Sequence, residues 1–145
     1  MYITSIQSHG ERAGVIGSGH DIKALNNLPS GAHLPVTSEA MMVTQAFGLD
    51  PTVTLSIFNT SCAKSGSTEN KWPNFTLHET FDSGFALRLM LKDMKIAVDL
   101  AVQFDVDVTL GRYTVALWSR AADALDPGAD HTEISRWLQE GGEHE

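Results

Sequence analysis

Lys23, Asn26 and Asn27 are the residues whose types and spacing could do chemistry. They follow Gly14-Val-Ile-Gly17-Ser-Gly19-His20, where three glycines within six residues allow a tight backbone turn. A helical pattern starts at once. Ser18 is suited to cap it, and Ile22, Leu25 and Leu28 recur at near-helical spacing. Residues three and four apart are neighbours on a helix, so His20, Lys23 and Asn27 share one face. A lysine presented there can take a proton from a hydroxyl or return it, and a carboxamide one turn later can hold the same small polar ligand. The same spacing also describes a capped helix with solvated polar residues, so spacing alone does not decide.

The glycines do not form a dinucleotide fingerprint. That motif is G-x-G-x-x-G between a strand and a helix, with an acidic residue about 20 positions later. Here Ile22 stands where the third glycine belongs, Glu11-Arg-Ala precedes in place of an apolar strand, and the acidic residue at that distance, Glu39, falls inside a helical pattern.

Gly14-x-x-Gly17-x-Gly19-x-x-x-Lys23-x-x-Asn26-Asn27 resembles a different motif, the one that opens the helical C-terminal domain of the β-hydroxyacid dehydrogenases. That family includes 3-hydroxyisobutyrate dehydrogenase, tartronate semialdehyde reductase and the related 6-phosphogluconate dehydrogenases. Two further blocks match in order: Ser65-Gly-Ser-Thr-Glu-Asn70-Lys-Trp-Pro73 and Phe85-Ala-Leu-Arg-Leu-Met-Leu-Lys92-Asp93.

The resemblance implies an all-α helical bundle. It also implies the substrate and dimerisation half of an NAD(P)-dependent oxidoreductase acting on a small 3-hydroxy acid. Lys23 corresponds to the catalytic acid/base and Asn27 to the substrate-binding asparagine, with Asn26 assisting. Phe85, Lys92 and Asp93 correspond to residues near substrate and nicotinamide. Asn70, Lys71 and Trp72 are assigned to packing. No counterpart of the family's N-terminal nucleotide-binding domain is read in the sequence, so neither NAD nor NADP is expected to bind tightly to this chain alone. The partners expected are a second copy and a separate nucleotide-binding domain. The alternative is a stand-alone helical binding or dimerisation module, a remnant or truncated gene product whose Lys23 is idle.

Length and composition set the frame. One domain with a real core is the expectation for 145 residues that are 42% hydrophobic. A formal net charge of -8 argues against a nucleic-acid or anionic-membrane surface. Cys62 is the sole cysteine, which excludes an intrachain disulfide and suits a reducing compartment. No run reaches the length of a membrane span, and the start lacks the apolar core of a signal peptide, so the expected location is cytoplasmic. The histidines show no metal-ligand spacing, and Cys62 has no identifiable base partner.

The elements that must position Lys23 are read from periodicity. Residues 1–13 form an N-terminal arm, 14–140 the helical domain and 141–145 a tail. In the first helix Met41, Met42, Ala46 and Phe47 suit a buried face, but Pro29 and Pro35 each lack an amide donor. They predict a kink or non-helical break between Leu28 and Pro35. Gly48-Leu-Asp50-Pro51 stops one helix and starts another, whose apolar face is Val53, Ile57 and Phe58. Ser65, Ser67 and Thr68 read as caps, Glu69–Phe75 as a short helix disturbed by Pro73, and Leu77–Gly84 as a connection. The strongest helix is Phe85–Phe104, with Leu87, Met90, Leu91, Met94, Val98, Ala101 and Val102 at three-and-four spacing. Another runs from Leu110 to Leu125 with Tyr113, Leu117 and Ala121 on one side, and Asp126-Pro127-Gly128 breaks it. Asp130-His-Thr-Glu133 resembles a capping box before Ile134, Trp137 and Leu138.

Overall fold

The computed structural model describes residues 18–142; the glycines at 14 and 17, the expected arm 1–13 and the last three residues of the expected tail lie outside them. Among the described residues the architecture is all-helical. Helix α1 spans Ser18–Ala46, α2 Pro51–Asn59, a π-helix Ser67–Thr76, α3 Leu87–Gln103, α4 Thr109–Ala124 and α5 Glu133–Gln139. No named strand occurs among them; the sole strand-like pairing is an isolated antiparallel bridge between Ala86 and Asp130.

Helix α1 is the axis of the bundle. Its 29 residues extend about 43 Å at 1.5 Å per residue, and it packs against every other helical element. It passes through Pro29 and Pro35 without interruption, so the expected non-helical break is absent. Tertiary structure explains the tolerance at Pro35. Residue 35 would normally donate its amide to the carbonyl of Gly31, and proline cannot. The indole Nε1 of Trp118, on α4, donates to that carbonyl instead, at 2.8 Å. Trp118 is fully buried, so the replacement bond is shielded from water. Pro29 lies on the exposed side of the helix, where water can serve an orphaned carbonyl.

The core is built from Leu34 and Met41 of α1, Leu87, Met90, Leu91 and Met94 of α3, Trp118 of α4, and Ile134 and Trp137 of α5, with Trp72 from the π-helix. The expected α3 face therefore holds at its centre, including both methionines, while Val102 near the end is exposed. Trp72 is anchored through its indole nitrogen. Nε1 donates to Ser38 Oγ at 3.1 Å, and Ser38 Oγ also lies 2.8 Å from the Leu34 carbonyl and 2.9 Å from Ser135 Oγ. With Trp72 and Lys71 partly or wholly buried, the packing role expected of that block holds for Trp72.

Local signals set the turns as expected. Gly48 takes φ of +83°, and the Asp50 carboxylate caps α2 by accepting from the amides of Thr52 at 2.8 Å and Val53 at 3.1 Å. Ser65 and Thr68 bond each other's backbone amides reciprocally, Ser65 N to Thr68 Oγ1 at 2.8 Å and Thr68 N to Ser65 Oγ at 3.3 Å. Pro73 does not end its helix. The segment widens to a π-helix in which the Leu77 amide reaches back to the Trp72 carbonyl at 2.8 Å.

Several expected faces are corrected. Phe47 is 82% exposed and Ala46 is exposed, although Met41 is buried as expected. Val53 and Ile57 face outward while Thr54 and Leu55 face inward, because α2 packs on the π-helix by the adjacent side. Tyr113 is exposed although Ala121 on the same expected face is buried. The capping box at Asp130 does not form either. The Asp130 carboxylate bonds the Thr132 amide and hydroxyl, at 2.9 and 2.6 Å, and leaves Glu133 to pair with Arg136. Its other partners lie far away in sequence, which local pattern could not register.

Candidate active site

Asp93 is the residue around which the candidate site closes. It stands on α3, beside Met94, and is 5% exposed. A buried carboxylate needs partners, and α1 supplies two. Asn27 Nδ2 donates to Asp93 Oδ2 at 2.7 Å, and Lys23 Nζ lies 3.5 Å from the same oxygen. Lys23 and Asn27 are one turn apart on α1, so helical spacing presents both to one point. The Lys23 side chain is 34% exposed against 7% for Asp93. The ammonium is thus held from beneath by a carboxylate and open above. Such an amine can exchange a proton with a ligand atom while its charge is stabilised.

The other expected residues are placed differently. Asn26 is exposed on the neighbouring face of α1, and Lys92 is exposed beside Asp93. His20, which shares a face with Lys23, is exposed. Phe85 lies two residues before α3, not in it, and its ring meets His131 edge-on with centroids 5.6 Å apart. Asp93 is about 9 Å along the helix axis from Leu87, so Phe85 belongs to a separate cluster. A cavity of 490 Å³ lined by Glu39, Met42, Leu117, Arg120, Trp137 and Leu138 involves the far half of α1 and none of Lys23, Asn27 or Asp93.

The cluster around Phe85 was not legible from spacing. Asp130 accepts from Ser83 Oγ at 2.9 Å and from the amides of Gly84 at 3.0 Å and Phe85 at 3.2 Å. Burial opposes its ionisation. The bonds from Thr132 and Ser83 and the neighbouring His131 outweigh that, so its pKa is lowered. His131 Nδ1 faces the Phe85 carbonyl at 3.1 Å and Ser83 Oγ at 3.0 Å. Burial first, then the positive charge of Lys71, hold its pKa down to about 4 against the pull of Asp130 and the Phe85 carbonyl. Burial likewise lowers the pKa of half-buried Lys71, with Asp130 opposing.

Ser83, His131 and Asp130 are the residue types of a hydrolytic triad, but their geometry is wrong for one. A triad places serine and aspartate on opposite ring nitrogens. Here the serine hydroxyl and the carboxylate both sit at Nδ1 and bond each other directly. The cluster is a staple that ties the entry to α3 onto the start of α5. Among the described residues no group of three histidine, cysteine or acidic side chains is placed to hold a metal, and no helix is long and apolar enough to cross a membrane. Cys62 is exposed and free.

Solved structures share this fold. Mycobacterium tuberculosis 3-hydroxyisobutyrate dehydrogenase, determined with L-serine, superposes with a TM-score of 0.76 at 19% identity, over 85% of this chain and 44% of that one. In sequence, a probable mitochondrial 3-hydroxyisobutyrate dehydrogenase of Dictyostelium discoideum is 32% identical across 94% of this chain and 44% of its own length. The 3-sulfolactaldehyde reductase of Escherichia coli K12 is 31% identical across 77% of this chain and 38% of its own. The chain thus spans less than half the length of these relatives. Residues 17–138 match the family described as "NAD-binding of NADP-dependent 3-hydroxyisobutyrate dehydrogenase", and the chain belongs to that family.

Proposed function

We propose that this chain supplies the substrate side of an NAD(P)-dependent oxidoreductase acting on a small 3-hydroxy acid, with Lys23 as its acid/base. The observation that carries the reading is the convergence of Lys23 and Asn27 on one oxygen of buried Asp93. The chemistry that a bound dinucleotide would supply is acceptance of hydride from the carbinol carbon in oxidation and its return to the carbonyl carbon in reduction. Lys23 as the neutral amine takes the hydroxyl proton in the oxidative direction, becoming the ammonium, and the ammonium returns it in reduction. Asp93 stabilises the ammonium and fixes its direction. Asn27 gives one N–H to Asp93 and keeps a second N–H and an amide oxygen for the ligand.

The described residues fit one end of the dinucleotide only. They contain no strand–glycine turn–helix unit of the kind that holds a pyrophosphate. The nicotinamide end is assigned to the stretch of α3 carrying Lys92 and Asp93, not to Phe85, which is held against His131 in the separate cluster, and the pyrophosphate to a nucleotide-binding domain outside these residues. Ser38 is joined to Ser135 of α5, whose approach is bridged to Ala86 at the start of α3, whereas Asp93 further on meets Asn27. Helix α3 therefore runs against α1, and its far end lies toward Lys23. The exposed Phe104, Val106 and Leu110 stand there, an apolar surface suited to that domain.

A second surface favours self-association. On α1, exposed Leu25, Val36 and Val43 follow at intervals of 11 and 7 residues, close to whole turns; exposed Phe47 follows just past its end, and Val53 and Ile57 are exposed on α2. A homodimer packed through this stripe accounts for it, and it also suits the reading as a stand-alone dimerisation module. The test is a dehydrogenase assay with a panel of 3-hydroxy acids, NAD and NADP, with and without a family nucleotide-binding domain. Lys23→Ala is expected to lower the reconstituted rate by about 10²- to 10⁴-fold at unchanged helical content. Near-full activity in that variant overturns the role of Lys23, and silence across the panel favours the module.

A further inference from the structure

We propose that Gly31 is a positioning residue for the Lys23–Asn27–Asp93 site, set in place by Trp118. The inference rests on reading that site as functional, but the geometry behind it is independent of the reaction. Lys23, Asn27 and Gly31 are each four residues apart and line one stripe of α1. Opposite them on α3 stand Asp93 and Met94. A Cβ built at Gly31 overlaps Met94 Sδ and lies 3.2 Å from its Cε. Met94 is fully buried, so its thioether end must repack within the core, or α3 must move, to admit a side chain at Gly31. The missing side chain at Gly31 is therefore what allows α1 and α3 to approach here. One turn back, the same approach brings Asn27 within 2.7 Å of Asp93.

The third helix holds this crossing shut. Pro35 leaves the Gly31 carbonyl without its helical donor, and Trp118 Nε1 fills the gap at 2.8 Å. Gly31 thus receives α3 through its absent side chain and α4 through its carbonyl. In the proposal, a methyl group at this point displaces the Met94 side chain and with it α3, and Asp93 leaves the reach of Asn27 first. That bond is short and its donor has few rotamers, whereas the longer Lys23 can follow.

The experiment follows the Asn27 side-chain amide by NMR in the ¹⁵N-labelled chain, a readout that needs no catalysis. In folded Gly31→Ala the Nδ2 proton is expected to exchange about ten-fold faster, the loss of one charge-assisted bond. Adding Met94→Ala restores room for the methyl group. The double variant should regain most of the protection although its core is less filled, an outcome that general destabilisation cannot produce. Trp118→Phe should speed exchange in the same direction, and it decides the matter if Gly31→Ala fails to fold. An unchanged Asn27 amide in folded Gly31→Ala, or in Trp118→Phe where the first does not fold, overturns the proposal. So does a double variant with no recovery. If the amide responds as expected while no hydroxy acid is ever turned over, positioning stands and the catalytic reading falls.

Discussion

Trp118→Phe, made with and without Pro35→Ala, tests whether a long-range bond replaces the one that proline removes from α1. In the parent chain the variant deletes the Nε1 donor and strands the buried carbonyl of Gly31, whose helical donor Pro35 lacks. Leaving a buried acceptor unpaired costs about 1–3 kcal/mol, to which the smaller ring adds a cavity penalty. For a domain near this size each kcal/mol corresponds to about 3–4 °C in Tm, so a fall of several degrees is expected. In the Pro35→Ala background the amide of residue 35 can supply the carbonyl, which has two lone pairs. The stranded-acceptor cost then disappears while the cavity cost remains. Urea unfolding of the four proteins should therefore give a coupling of about 1 kcal/mol or more, with Trp118→Phe milder in the alanine background. Additivity within about 0.5 kcal/mol, the range found for independent sites, would refute the idea that Trp118 does the work of the missing amide.

Two further expectations concern charge and association. The folded pKa of His131 is about 4 against an ordinary 6.5, so the unfolded chain binds more protons between those values. The contribution is present above the unfolded pKa and is lost as pH falls through about 4. Urea unfolding at pH 7.5, 5 and 4 should show stability falling across that window, and a substantially smaller fall in His131→Gln; an identical fall in the variant would remove His131 as its cause. The apolar stripe from Leu25 to Val43 predicts a homodimer by light scattering at tens of micromolar, where interfaces of standard size normally persist. A Val43→Glu substitution, at an exposed position on that stripe, should give monomers without loss of helix. A parent chain that is already monomeric argues for another occupant.

Much of the fold could be read locally, because caps and turns act within a few residues. Asp50-Pro51 starts α2, Gly48 and Asp126-Pro127-Gly128 end their helices, and the α3 core face from Leu87 to Met94 follows from period alone. The partnership of Lys23 and Asn27 with Asp93 was only half legible. Helical spacing put the first two on one face, and the family resemblance named the third, but neither said that they meet. The faces of α2 and the end of α1 were misread because period shows where apolar residues align, not which aligned face another helix covers. Val53, Ile57 and Phe47 are periodic and exposed.

What the sequence by itself determined was the all-helical class, most of the helix boundaries and the candidate lysine, all properties of short windows of chain, though not the π form of the segment around Pro73. Only the tertiary structure decided that α1 passes through two prolines, that Asp93 is the point where Lys23 and Asn27 converge, and that Asp130 abandons its own helix for Ser83 and Phe85. In each case the deciding partner is 45 to 87 residues away. A donor or acceptor left open by the local sequence is settled by whichever group the packed bundle brings to it. That group is selected by the crossing of helices, which no window of the chain contains.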